Sequence, residues 1–184
     1  MKIKRNIFNI LMILIAVFLL TACKSQQASN EVNTKDENIS KTYAMDLYYP
    51  SKSYIVDGNE DEKFISQEIE VSDPTDIKKD IEKLKDASNA KDNADDIYPA
   101  LSENLVINEI REEDGKYTVD ISSENLNGGS LEEDIIISSI VNSILSIRSE
   151  DANYAKSVRF LVDGEPCSTL LGHVSIEEEF TESL

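Results

Sequence analysis

A chain of 184 residues with 36 acidic against 18 basic side chains carries a formal charge of −18 at pH 7. That balance excludes nucleic-acid phosphate as a partner and electrostatic docking on anionic lipid, because both need basic contacts. One histidine cannot build a histidine-rich metal site, and the lack of tryptophan weakens a carbohydrate-stacking role that seven tyrosines leave open.

The N-terminus reads as an export signal. Lys2, Lys4 and Arg5 form a basic cluster, and every residue from Ile10 to Leu20 is apolar. Eleven residues at a helical rise cover about 16 Å, roughly half of a bilayer core, so the segment is too short to span and fits a secretion signal. Leu20-Thr21-Ala22-Cys23 resembles a bacterial lipobox, which implies cleavage after residue 22 and diacylglycerol attachment to Cys23. Without residues 1–22 three basic side chains are lost, leaving 15 basic against 36 acidic, a balance of −21. The membrane anchor is therefore expected to be covalent lipid on Cys23, two acyl chains being enough for stable attachment. Cys167 is then alone, and no internal disulfide can form.

Residues 23–41 hold only Val32 and Ile39 as large apolar side chains, the composition of a flexible tether with a reach of about 25 Å. A single domain is expected over 42–178, with an acidic tail over 179–184 that frays. Tyr43 to Tyr49 is an aromatic-rich strand ended by Pro50, and Phe64 to Val71 is a second, weaker strand. Asp73-Pro74 supplies an N-cap and a first helical residue, and Ile77, Ile81 and Leu84 form one narrow apolar stripe. Leu105 to Ile121 is a hairpin around Asp114-Gly115, whose register sets Glu113 opposite Lys116 and Ile110 opposite Val119. Gly128-Gly129 breaks the chain before a capping box at Ser130-Leu131-Glu132-Glu133. A helix follows through Ile147, rich in β-branched residues and dependent on packing. Ser157 to Val162 is a nearly continuous apolar strand, turned by Asp163-Gly164, and Pro166 confines the return segment to a sheet edge.

Little in this pattern points to catalysis. His173 has no Gly-x-Ser-x-Gly elbow to serve and reads as a turn residue. Cys167 has no basic cluster beside it in sequence and reads as a half-buried structural thiol. Asp57, Asn59, Asp61 and Glu68 occupy positions 1, 3, 5 and 12 of a calcium-loop template, but Glu62 stands where the template needs glycine, so a solvated loop is expected. No metal or cofactor is expected. The long helix carries the sharper signal. Its polar residues Ser138, Ser139, Asn142, Ser143 and Ser146 are all uncharged, in a chain where 29% of residues are charged. Small neutral side chains permit close approach of another surface. The face is read as a contact for a neighbouring subunit or partner, or else as a cover for another part of the same domain.

Taken in order, the opening DLYYP (46–50), the hairpin with GKYTVDIS (115–122), GGS (128–130), the long helix, and VRFLVDG followed by LLGH (158–164, 170–173) resemble the GerMN domain of sporulation and spore-germination lipoproteins. The resemblance spans about residues 42–178. It implies an α+β fold, a compact two-layer sandwich of a mixed sheet with two main helices, similar to the ring-building motifs of secretion machines. It further implies a non-enzymatic interaction or assembly module, lipid-anchored on the extracytoplasmic face of a Gram-positive cell membrane. Its partners would be envelope or sporulation proteins, or a second copy of itself. Alternatives are a domain that binds wall polymer or a small ligand, and an accessory module for a wall hydrolase.

Overall fold

The computed structural model describes residues 41–184 apart from Asp151. The signal segment and Cys23 lie outside the described residues, as does the expected tether up to residue 40. Within 41–184 the order is strand β1 (Tyr43–Pro50), short helix α1 (Lys52–Asp57), strand β2 (Phe64–Val71), short helix α2 (Lys78–Ile81), strands β3 (Ile107–Glu113) and β4 (Lys116–Ile121), long helix α3 (Ser130–Leu145), two-residue strand β5 (Arg148–Ser149) and strand β6 (Ser157–Val162). One 3₁₀ turn (Glu60–Glu62) lies between α1 and β2, and two 3₁₀ segments (Glu82–Lys85 and Ala87–Asn93) follow α2.

The class is α+β, as the sequence implies, but the strands divide into two three-stranded sheets rather than one. The first has the order β2-β1-β5 and is antiparallel. The second has the order β3-β4-β6, with β3-β4 antiparallel and β4-β6 parallel. The Asp114-Gly115 turn has φ of 55° and 82°, and it sets Glu113 against Lys116 and Ile110 against Val119 as the turn chemistry demands. Asp163-Gly164 turns in the same way, with φ of 51° and 81°.

Only one helix is long. The expected helix at Pro74 begins at Lys78 and has a single α-turn, because Asp73 folds its carboxylate onto Thr75 N–H and Oγ instead of capping a helix. The stripe read from the sequence still points inward: Ile77, Ile81 and Leu84 are fully buried. Two tyrosines fasten this connector to both sheets. Tyr49 of β1 donates to the Lys83 carbonyl at 3.0 Å, and Tyr117 of β4 donates to the Pro74 carbonyl at 2.7 Å. Burial pushes the Tyr49 hydroxyl up to about 12 and Tyr117 further still.

Helix α3 is the centre of the domain. Eleven of its sixteen residues are buried, so it is an interior helix covered on nearly every side rather than an amphipathic surface helix. Ile137, Ile140, Val141 and Ile144 share one core with Met45, Leu47 and Tyr49 of β1, Tyr117, Val119 and Ile121 of β4, and Val158 and Phe160 of β6. Its N-cap is Gly129 rather than Ser130, with the Glu132 carboxylate accepting Gly129 N–H at 3.0 Å. Glu133 turns inward instead. It is fully buried and accepts the N–H groups of Leu171 and His173, both at 2.7 Å. The C-terminal segment that the acidic sequence marks as frayed is docked. Phe180 exchanges both backbone hydrogen bonds with Val158, and Asn142 clamps the Leu184 backbone N–H and C=O.

Candidate interaction surface

The neutral face of α3 is not a surface. Ser138, Ser139, Asn142 and Ser143 are buried and Ser146 is half-buried, so the exposed-contact reading is overturned. The physical reason lies in β1. That strand pairs with β2 along its whole length, but on its other side β5 covers only Tyr43 and Ala44. The next N–H groups on that side belong to Asp46 and Tyr48. Asp46 N–H donates to Ser146 Oγ at 2.8 Å, and Tyr48 N–H donates to Ser143 Oγ at 3.0 Å. Helix α3 thus seals the strand edge with hydroxyls where a further strand would supply carbonyls. Large or charged side chains would hold the helix too far away to do so. The next residue of β1 on that side is Pro50, which has no N–H, and Ser139 one turn earlier on α3 has a buried Oγ with no hydrogen-bond partner.

These bonds also fix the orientation of β2. Since the even residues of β1 face α3, its odd residues exchange hydrogen bonds with Val71, Ile69, Gln67 and Ile65. The backbone groups of Phe64, Ser66, Glu68 and Glu70 therefore point away from the sheet. Glu68 shows this directly, because its carbonyl accepts from the Gln67 side-chain amide at 3.0 Å.

Among the described residues, the other sheet edges are covered in part or interrupted. The outward groups of β6 are taken at Val158 by Phe180 and at Val162 by Glu165. Strand β3 is guarded by a register shift between Ile107 and Glu109, by charged side chains, and by Lys78, which donates to the Asn108 carbonyl at 3.1 Å. Ser149 and Arg148 of β5 fold back onto Ala152 and Asn153. Among the described residues, β2 and β3 are the long strands whose outer edges take no backbone partner; the β3 edge is interrupted by its bulge and by Lys78, whereas the β2 edge is unbroken over eight residues. One face of it carries Ser66, Glu68 and Glu70 in the open, while Ile65 and Ile69 are half-buried on the core side.

Arg148 braces the base of this surface. Its guanidinium meets both Asp46 carboxylate oxygens, at 2.8 and 3.4 Å, and also pairs with Glu68. The hydrogen bond and charge of Asp46 hold the guanidinium pKa above its ordinary value. This pairing decides the fate of the calcium-loop residues. Glu68 is committed to Arg148, and the Asn59 carboxamide oxygen accepts Asp61 N–H at 3.2 Å, capping a 3₁₀ turn. Among the described residues no group of three or more potential metal ligands converges.

Two candidate chemical residues are also placed. Cys167 is exposed rather than half-buried, its thiol donating to the Thr169 carbonyl at 2.9 Å. It lines an open hollow of about 460 Å³ with Arg159, Glu177 and Glu179, and His173 is not part of that wall. Sequence reasoning missed α1, β5 and the sealing role of the α3 serines. The β5 signal was invisible at two residues. The serine spacing of 139, 143 and 146 could have been read as a helical stripe facing an incomplete strand edge.

Among the described residues, the fold and surface define an α+β domain with one long, uninterrupted open sheet edge and no converging group of metal-ligand side chains. The family described as "Germane: Sporulation and spore germination" matches residues 46–168, and the chain belongs to that family, as the GerMN resemblance of its motifs implies. Among solved structures the chain is similar to a candidate lipoprotein from Clostridium perfringens, at 19% identity and a TM-score of 0.46, covering 76% of this chain and 87% of that one. It is also similar to the tandem GerMN domains of the sporulation protein GerM from Bacillus subtilis, at 19% identity and a TM-score of 0.45, covering 79% of this chain and 46% of that one. The chain thus spans about half the length of the tandem protein. A search among curated proteins finds no match.

Proposed function

We propose that this chain is a non-enzymatic interaction module of the sporulation and germination envelope, held at the extracytoplasmic membrane face by lipid on Cys23. It joins other envelope proteins by accepting a strand on the outer edge of β2. One observation carries the reading: among the described residues, the outer edge of β2 is unbroken over eight residues, while hydroxyls of α3 seal β1, the C-terminal segment takes part of β6, and a bulge and Lys78 interrupt β3. Open edges of this length are templates for strand pairing unless they are blunted, and adding a partner strand to such an edge is a recurring mode of recognition. Membership of a sporulation and germination family supports the setting, and the lipobox supports the anchor.

The test is site-specific photocrosslinking in sporulating cells. A photoreactive residue at Ser66 is expected to give a discrete protein adduct, and the same group at Thr118, on the other sheet, is expected to give none. Equal adducts at both sites, or crosslinking of Ser66 to wall polymer alone, would overturn the proposal. Intact-protein mass spectrometry tests the anchor, which requires an acylated Cys23 as the first residue.

A further inference from the structure

The open edge has a sign. Its outward face carries Glu68 and Glu70, and the turn that leads into it is Glu60-Asp61-Glu62. Glu68 is bound to Arg148, but Glu60, Asp61, Glu62 and Glu70 form no ion pair among the described residues. No lysine or arginine lies on β2, and Lys63 at its start is already paired with Asp134. The edge also has an apolar margin, since Ile65 and Ile69 remain half-buried on the opposite face.

Resting on the strand-addition reading above, we propose that the incoming strand is basic and amphipathic. It is an extended segment of a partner protein with Lys or Arg at alternate positions and apolar residues between them. Alternation follows from the pleat: side chains flanking Ser66, Glu68 and Glu70 share one face, and those flanking Ile65 and Ile69 share the other. Opposite charges on neighbouring strands attract at the short spacing of cross-strand pairs, and like charges there repel. A second copy of this chain is a poor occupant. Its own β2 would set the same uncompensated acids against these, with no basic residue to answer them.

The test uses the full-length chain in uncharged detergent and a fluorescent hexapeptide alternating lysine and valine, read by fluorescence polarisation. Companion peptides alternate glutamate with valine and lysine with glycine. The lysine–valine peptide is expected to bind, the glutamate–valine peptide to fail, and the lysine–glycine peptide to bind more weakly. Ser66→Pro removes an outward N–H and leaves the β1 ladder intact, so it should weaken binding about tenfold with an unchanged melting temperature. Glu70→Lys should weaken it about tenfold, and added salt should do the same. Hydrogen exchange should slow within residues 64–71 on peptide addition. Failure of the lysine–valine peptide to bind, or equal binding of the glutamate–valine peptide, overturns the proposal. A loss on Ser66→Pro without any effect of Glu70→Lys or salt refutes the basic partner but leaves strand addition standing. An unchanged affinity for Ser66→Pro refutes strand addition at this edge and the proposal with it.

Discussion

Two serines four residues apart on one buried helix should respond to the same substitution with opposite signs. Ser143 Oγ accepts Tyr48 N–H at 3.0 Å and is fully buried. Ser143→Ala leaves that strand N–H facing a methyl group, with the helix keeping water out. An orphaned buried donor costs about 1–3 kcal/mol, offset by about 0.5 kcal/mol because alanine is the better helix former. A net loss of about 1–2 kcal/mol is expected. Ser139 Oγ is equally buried but has no partner. Burying an unpaired hydroxyl costs about 1–3 kcal/mol in mutational series, so Ser139→Ala removes a penalty and adds the same helical gain. A net increase of about 1.5–3.5 kcal/mol is expected. Urea unfolding monitored by circular dichroism reads both: with a slope of about 2 kcal/mol/M, the two midpoints should lie on opposite sides of the parent and about 1–3 M from each other. Midpoints that shift together, or a Ser143→Ala chain as stable as the parent, would refute the idea that α3 seals β1 through its hydroxyls.

Three further outcomes are expected. Glu133→Gln keeps the side-chain volume but turns an amide NH₂ toward one of two backbone donors, so stability should fall by about 1.5–3 kcal/mol and hydrogen exchange at Leu171 and His173 should quicken. At Gly115, φ is +82° and an added Cβ would stand 2.7 Å from the Tyr154 carbonyl oxygen. Gly115→Ala should therefore cost about 2 kcal/mol or more by thermal unfolding. Burial, the leading cause, raises Tyr49 and Tyr154 from 10.0 to about 12 and Tyr117 further. The folded chain holds these protons longer than the unfolded chain, so their contribution is complete below pH 10 and is lost as pH climbs through about 12. A tyrosinate absorbance titration should show an early group and a late group that ionises together with unfolding.

What the sequence discloses depends on how local the cause is. The Asp114-Gly115 hairpin and its register, the limits of β2, and the inward stripe of Ile77, Ile81 and Leu84 were legible because turn chemistry and periodicity act within a few residues. The α3 serines were legible as unusual, yet their meaning was not. Neutral residues suit a contact with another protein and a contact with the domain's own strand edge equally well, and only the shortness of β5 decides between them. Nothing local announces that Arg148 and Ser149 stop after two residues, or that β6 runs parallel to β4. The inward turn of Glu133 likewise depends on a segment 38 residues away. Cys167 was misread because the edge segment that carries it, Glu165 to Leu171, leaves its thiol uncovered. The unbroken edge of β2 became visible only once the covers and interruptions of the other edges were in place.

The proposed interaction requires a free outer edge on β2 that a partner strand closes. Hydrogen exchange resolved to single residues, on the isolated chain and on the crosslinked complex from sporulating cells, measures this directly. In the isolated chain, Ser66, Glu68 and Glu70 should exchange fast while Ile65, Gln67 and Ile69 are protected, and in the complex all six should be slow. Uniform protection of β2 in the isolated chain, or fast exchange at Ser66, Glu68 and Glu70 that persists in the complex, would contradict it.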